Sequence, residues 1–337
     1  MLNAKRQHGA ALITVLLIFA IASYLVGEMF ARLDGDMRRT TNVIAQDQAY
    51  VYARSAEQLA INVLLQDLKN DYEKNFKRAH DDLLELWATP LTLPLDGGSI
   101  SARITDLQSR FNINQLKASG GLVTRGALTC LLSNFELLEV DQRSLWVDSV
   151  LEWMDADNQP QTQGAEDDYY LGLEKPYRAA NQPMVTVSEL NLIRGTNRHL
   201  YERLQPWLTA LPTEVPLNIN TVDPEILRCI NGIDVNRIIE GRKRQGYESV
   251  SVALQGQPGM LASGNGEDGE STTGLKAKDF SVSSQYFLLT VVVTILERKV
   301  FLESVIYRPE KSSLKNPIRV ISRNRARQYH TQVAPAS

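Results

Sequence analysis

The sequence predicts an α+β chain. A long N-terminal helix, membrane-spanning over its first part, packs on a small antiparallel sheet, and a large all-helical domain is inserted into that sheet. Three observations carry this prediction. An uncharged run near the N-terminus continues without a break into an amphipathic helix; β-rich stretches stand roughly 180 residues apart; and the intervening residues show helical periodicity.

Residues 1–9 (MLNAKRQHG) form a short polar leader carrying Lys5 and Arg6, and the 18 residues from Ala10 to Gly27 carry no charge. That length matches the roughly 20 residues a helix needs to cross a bilayer. The basic pair before the span, with no comparable cluster just after it, orients the leader towards the cytoplasm and the rest outward. Such a start is compatible with a secretory signal cut after Ala20-Ile21-Ala22, with an uncleaved anchor, or with a prepilin-type leader cut ahead of the apolar run. Gly9 at the leader–span boundary offers a peptidase an open backbone. Beyond Gly27, Leu33, Met37, Ile44 and Val51 and then Ile61, Leu64, Leu65 and Leu68 keep helical spacing, with no proline before Pro90. A span that continues into an amphipathic helix favours the prepilin-type reading, because a signal that is removed needs no such extension.

A Pro/Gly passage at 89–98 (TPLTLPLDGG) ends the first segment. Alternation at Ile100, Ala102 and Ile104 predicts a strand over 99–105. The runs 285–296 and 299–307 are rich in β-branched and aromatic residues and read as an antiparallel hairpin around Glu297 and Arg298, with the first run a central strand buried on both faces. Between them, Leu128, Leu131, Leu132, Phe135 and Leu138 form one apolar stripe, and Trp146, Val150 and Trp153 a second. Thr186 and Glu189 form a capping box opening a third helix. The organisation predicted is therefore a leader over 1–9, the spanning and extended helix over 10–70, the first part of the α/β body over 71–114, the helical insertion over 115–250, a flexible loop over 251–280 and C-terminal strands over 281–310. The tail 311–337, with basic residues and no acid, is expected to be disordered.

At 337 residues the chain is long enough for more than one core, and its net charge of −3 gives no reason to expect a polyanionic partner. Four histidines are scattered along the chain. The two cysteines, Cys130 and Cys229, are too few for a disulfide scaffold and too isolated for a zinc site. Both fall in expected helices of one domain, so they stand either as a disulfide formed outside the cytoplasm or as two buried thiols. No nucleophile elbow, P-loop or HExxH motif occurs, which argues against an enzyme. Two rival functions remain: a membrane-anchored cell-wall hydrolase, and a nucleic-acid binder of a pilus-type uptake system. The latter rests on LNINTVDPEILRCINGID (217–234), which has the form of a helix-hairpin-helix. Asp234 in its turn repels phosphate, and residues 115–245 hold 13 Lys/Arg against 18 Asp/Glu, net −5, so the motif reads as a packing element.

An ordered set of segments carries a resemblance: HGAALITVLLI at the leader boundary, DLQSRFNINQL (106–116), WMDADNQPQTQGAEDDYY (153–170), KPYRAANQPMVTVSELNLIRG (175–195) and LNINTVDPEILRCINGID (217–234). Over nearly its whole length the chain is similar to the minor pseudopilin K family of type II secretion systems (general secretion pathway protein K). The resemblance implies a pilin-like fold with a helical insertion, anchored once in the inner membrane with its body in the periplasm. It implies a place at the pseudopilus tip, where the protein initiates assembly and caps the filament for export across the outer membrane. The partners implied are the minor pseudopilins I and J, other pseudopilins and the inner-membrane secretion platform. Prepilin peptidase is expected to cut between Gly9 and Ala10, with methylation of Ala10. Most pilins carry a glutamate five residues into the mature chain, where it pairs with the amine of the subunit above; here that position is Thr14. An uncharged residue suits a subunit with nothing above it, though a tolerated small residue explains Thr14 equally well.

The acidic segment after Trp153 is read in two ways. By spacing alone it is a solvated loop, because Pro160 replaces the EF-hand glycine. The resemblance implies instead a Ca²⁺ site in the insertion, with Asp155, Asp157, Glu166 and Asp167 as ligands and Asn181 as a further candidate. Glu189 is assigned to the capping box.

Overall fold

The computed structural model describes residues 8–73, 80–117, 122, 124–159, 164–243, 245–261, 275–296, 298–312 and 316–325. In chain order the elements are α1 (His8–Glu73), β1 (Leu91–Leu95), β2 (Gly98–Asp106), β3 (Phe111–Asn112), α2 (Arg125–Asn134), α3 (Val140–Met154), α4 (Asp167–Leu171), α5 (Arg198–Leu204), β4 (Leu208–Thr209), β5 (Leu217–Asn218), α6 (Pro224–Arg228), α7 (Val235–Arg242), α8 (Val250–Leu254), α9 (Pro258–Leu261), β6 (Phe280–Ser281), β7 (Tyr286–Ile295), β8 (Arg298–Tyr307) and β9 (Arg319–Asn324).

Helix α1 has 66 residues, about 100 Å at 1.5 Å per residue. Its first half is long and apolar enough to cross a membrane, and none of its most apolar window is buried in the protein. Its second half lies on a five-stranded antiparallel sheet of order β1-β2-β7-β8-β9. The face turned to the sheet is built from Ala45, Ala49, Ala53 and Ala60 and then Leu64, all buried. Methyl side chains let the helix approach the strands closely, and Phe287, Leu289, Val291 and Val293 of β7 fill the other side of the contact. Trp87 closes this core with its ring edge-on to Phe287 at 5.3 Å. Leu33, Met37, Ile44 and Val51 remain exposed on the helix.

β7 is the middle strand, but its burial alternates. Phe287, Leu289, Val291, Val293 and Ile295 are buried towards α1, while Leu288 on the other face is half-covered by Leu107, Leu211 and Val215. The expected burial of both faces is thus reached only in part, because the insertion covers one end of the outer face. In the hairpin Ile295 pairs with Arg298, so the turn lies one residue earlier than expected. Leu296, in the left-handed region at φ 53°, opens it, and Glu297 lies outside the described residues.

Further expectations need correction. The Pro/Gly passage contains β1, whose Leu91 pairs with Ala102; Pro94 is tolerated because β1 is an edge strand. The basic tail is not disordered from 311 onward. β9 pairs with β8, Arg323 reaches Glu57 of α1 at 2.8 Å, and the Arg325 guanidinium stacks 3.7 Å from the Tyr50 ring centroid. Those arginines are bound to the helix rather than dispersed in solvent, which composition alone conceals. Residues 326–337 lie outside the described set. The insertion is not all helical either: β3 pairs with β4 and β5 with β6, both in parallel. Phe135 and Leu138 lie beyond the end of α2, and the segment capped by Thr186 is a 3-10 helix, Val187–Leu192. Within 251–280, α8, α9 and β6 are ordered elements, with Leu254 and Gln257 buried; residues 262–274 lie outside the described set.

The insertion has its own core around Phe111, Leu128, Leu131, Trp146, Val150, Ile219 and Ile226. Cys130 on α2 and Cys229 after α6 have their sulfurs 2.00 Å apart and their Cα atoms at 5.5 Å, within the usual disulfide range. A link across 99 residues removes chain entropy from the unfolded state, about 4–5 kcal/mol in that account.

Two predictions follow from the packing. Ala53→Leu overfills the α1–sheet contact and should cost about 1–3 kcal/mol in urea unfolding of the detergent-solubilised chain, whereas Val51→Ala on the exposed side should change stability by less than about 0.5 kcal/mol. Thiol labelling of the denatured, unreduced protein should mark neither Cys130 nor Cys229, and reduction should expose both. Two labelled cysteines without reductant would remove the disulfide.

Candidate functional site

The acidic site is assembled at the C-terminal end of α3. Trp146, Val150 and Trp153 anchor this helix in the insertion core, and the same turn carries Glu152 inward with them, fully buried. Asp155 caps the helix, its N–H donating to the Leu151 carbonyl at 3.0 Å. The chain then makes two successive side-chain turns: Asp157 N–H donates to Asp155 Oδ1 (3.2 Å) and Gln159 N–H to Asp157 Oδ1 (2.9 Å). Residues 160–163 lie outside the described set. The chain returns at Gly164, where a Cβ would run into the Glu152 side chain, and continues through buried Ala165 and Glu166 into α4. Tyr170 of α4 fixes this return by packing edge-on against Trp153 at 5.3 Å and stacking on Tyr177, also at 5.3 Å.

Glu152, Asp155 and Glu166 thereby each bring a carboxylate oxygen within 4.8 Å of the others. Burial pushes the Glu166 carboxyl up to about 7, with the adjoining Glu152 and the charge of Asp155 adding to the effect. Asn181 is held beside them. Its N–H donates to the Trp153 carbonyl at 3.0 Å, and its backbone takes the left-handed conformation (φ 49°) that asparagine tolerates better than most residues. Its Nδ2 donates to the Asp157 carbonyl (3.2 Å) and to Asn158 Oδ1 (2.5 Å), while its Oδ1 is buried without a hydrogen-bond partner among the described residues.

The residues named from the sequence separate accordingly. Asp155 and Glu166 enter the cluster, and Asn181 adjoins it. Asp157 is exposed and serves the turn, while Asp167 accepts from Ala179 N–H at 2.9 Å and faces Arg178. Glu189 completes its capping box with Thr186 and accepts from Trp153 Nε1 at 3.2 Å, a supporting role. Glu152 was missed. It sits inside an apolar helix, and its only signal was its place one turn before Asp155. An oxygen-only donor set that crowds carboxylates out of water fits a hard cation such as Ca²⁺. Glu152 and Glu166 are too deeply buried for a polysaccharide to reach, which weighs against the hydrolase alternative.

The helix-hairpin-helix segment is folded as α6, a turn with Gly232 at φ 82°, and α7. Asp223 and Asp234 cap the two helices. The turn is engaged within the chain: Asp234 N–H donates to Gln257 Oε1 (2.6 Å) and Gly259 N–H to the Gly232 carbonyl (2.9 Å). At the other end of the molecule, Gly9 and Ala10 lie in the first turn of α1, and Thr14 is exposed on the span.

Comparison with known proteins agrees with this architecture. The family model of the type II secretion system (T2SS), protein K, matches residues 109–213. Type II secretion system protein K of Aeromonas hydrophila is 32% identical over 334 residues, covering 93% of this chain and 96% of that protein. The protein of the same name from Pseudomonas aeruginosa is 34% identical over 323 residues, covering 92% of each. A chain in the crystal structure of the GspK-GspI-GspJ complex from enterotoxigenic Escherichia coli superposes with a TM-score of 0.70 at 30% identity, covering 86% of this chain and 100% of that one. With an apolar N-terminal helix, an antiparallel sheet interrupted by a large insertion, and relatives at 32% and 34% identity matched over more than nine-tenths of each chain, the chain belongs to the type II secretion system protein K family.

Proposed function

We propose that this chain is a minor pseudopilin that occupies the tip of the type II secretion pseudopilus, where it initiates assembly and caps the filament. The observation that carries this reading is the position of the insertion. Asn42 of α1 lies against Arg298 at one end of the β7–β8 hairpin, and Asp67 lies against Arg308 at the other. The chain enters the insertion after Asp106 and leaves it before Tyr286, so the added mass projects from the end of the body remote from the apolar span. Bulk there obstructs a subunit arriving above, while the exposed apolar side of α1 (Leu33, Met37, Ile44, Val51) offers neighbouring helices a packing surface below. The relative in the GspK-GspI-GspJ complex suggests the corresponding I and J pseudopilins as partners. The protein acts by binding, with its span in the inner membrane and its body in the periplasm.

The experiment is co-expression with the I and J pseudopilins and prepilin peptidase, followed by detergent purification. A stable ternary complex whose largest subunit begins at Ala10 with a methylated amine is expected by mass spectrometry. A chain beginning at Ser23, or failure to co-purify with either pseudopilin, would overturn the reading.

The insertion also binds Ca²⁺ in this proposal, with Glu152, Asp155, Glu166 and the Asn181 carbonyl as ligands. Bound ion offsets the repulsion among buried carboxylates and ties the α3 end to α4. Calorimetry should detect binding, and saturation at a hundredfold over Kd should stabilise the fold by about 2.7 kcal/mol. Glu152→Gln should weaken binding at least about tenfold, while Asp157→Ala should change it less than about threefold. No heat of binding at millimolar Ca²⁺, together with melting indifferent to EDTA, would refute the site.

A further inference from the structure

A second polar assembly lies where α1, the sheet and the insertion meet, remote from the acidic loop. Arg308, just beyond β8, is 1% exposed. Its Nη1 donates to Asp67 Oδ2 of α1 at 2.9 Å, and its Nη2 to both oxygens of Asp81 at 2.5 Å and to the Ser284 carbonyl at 3.0 Å. Its guanidinium carbon also lies 4.7 Å from the centroid of the Phe287 ring. Asp81 accepts the Ser284 N–H at 2.7 Å. Asn218 of the insertion donates to the Asp81 carbonyl (3.2 Å), to Asp106 Oδ2 (3.3 Å) and to Ser284 Oγ (2.8 Å), and Thr221 Oγ1 donates to the same Asp106 oxygen at 2.5 Å. The insertion's entry at Asp106, its exit at Ser284 and its interior segment 218–221 therefore meet on Asp81 and Asp106.

Charge at this junction is unbalanced. Asp67 and Asp71 face it from α1. His80, Asp81, Asp82 and Glu85 face it from the segment before β1, and Asp106 from the end of β2. On the cationic side stand Arg308, the His80 ring when protonated and, near Asp106, Arg110. The insertion contributes the uncharged Asn218, Asn220 and Thr221, the Gly246 N–H that Asp82 accepts at 3.1 Å, and the Tyr247 carbonyl that receives Asn220 Nδ2. One guanidinium balances one carboxylate, yet both Asp67 and Asp81 rest on Arg308. Away from water the second charge is costly unless a proton removes it.

We propose that the Asp67–Arg308–Asp81 junction holds one proton at neutral pH and releases it in alkali, so that the insertion's seating on the pilin-like body depends on pH. Burial is the main influence on both acids, lifting Asp67 to about 8, with Glu85 and Asp81 adding, and Asp81 to about 7 against the pull of Arg308. Burial raises Asp71 and Asp106 as well. It draws His80 down, but Glu85, Asp82 and Asp71 carry that ring above its ordinary value. Because the folded carboxyl values exceed those of a free aspartate, the folded state holds protons the unfolded chain has lost. Their stabilisation is complete below the free-carboxyl pKa, declines as pH rises, and is gone once pH passes the folded value.

The test is hydrogen exchange of the full chain in detergent micelles at about pH 6 and about pH 9, each normalised to exchange of the unstructured chain. Protection of peptides covering 216–222 and 281–286 should fall at least about tenfold at the higher pH, one pK unit's worth of linkage. Peptides from α2 should not change. Asp67→Asn keeps the Asp81–Arg308 pair without the proton and should lose clearly less protection than the wild type at pH 9, the remainder coming from Asp71, Asp106 and His80. Equal protection of the wild type at both pH values, or an equal fall in Asp67→Asn, would overturn the proposal. Should that variant not fold, infrared spectroscopy of Glu166→Gln, which removes the raised carboxyl of the acidic loop, decides: a protonated-carboxyl band at pH 6 that disappears by pH 9 is expected, and its absence at pH 6 refutes the proton.

Discussion

Contact between the alanine face of α1 and β7 is the constraint on which the rest of the molecule depends. One continuous helix begins with an exposed apolar stretch of the length a membrane span needs and meets a sheet over its second half. Ala45, Ala49, Ala53 and Ala60 allow that second contact by removing side-chain bulk where the strands approach. The helix is then fastened at its flank: Glu57, buried beside Ala53, receives Ser304 Oγ at 2.6 Å and Arg323 at 2.8 Å. Its carboxyl is held below the usual range even though burial opposes this, because Arg323, Ser304 and Arg54 outweigh the desolvation. One carboxylate thus ties α1 to β8 and to β9, so the C-terminal strand is held by the helix as well as by its ladder with β8.

At the far end of the same helix the bonding is of another kind. Asp67 and Arg308 begin a polar seam that passes through Asp81 to Ser284, Asn218 and Asp106. The body and the insertion keep separate main apolar cores and share only a small cluster, Leu107, Leu211 and Val215 against Tyr286, Leu288 and Val305, so the hydrogen bonds of the seam add direction to a modest apolar contact. Such bonds specify orientation sharply and lose much of their value when one partner changes charge.

The insertion in turn places its acidic cluster by packing. Trp153, Tyr170 and Tyr177 pack together, which fixes α4 against the end of α3 and so holds Glu166 beside Glu152 and Asp155. The cluster comes from a single stretch of chain, Glu152 to Glu166, with Asn181 beside it.

Much of this was legible in the chain itself. Eighteen uncharged residues after a basic leader, followed by helical spacing without a proline, determine one long helix with an apolar start, because both signals are local and periodic. The face that meets the sheet was not legible, since Leu33, Met37, Ile44 and Val51 stay exposed and alanines make the contact. The β7–β8 hairpin and the stripes of α2 and α3 were readable for the same reason. What the sequence could not show depends on groups distant along the chain. Nothing local beyond its spacing to Asp155 marks Glu152 as a site residue; only the return of the chain at Gly164 places Glu166 against it. The arginines of β9 looked like a solvated tail until Glu57, more than 260 residues earlier, gave Arg323 a partner. Asp157 and Asp167 looked equivalent to Asp155, and only the turns and the Ala179 N–H separated them. Periodicity is written locally and fixes the elements; the role of a charged side chain is fixed by what the fold brings to it, and only the tertiary structure contains that.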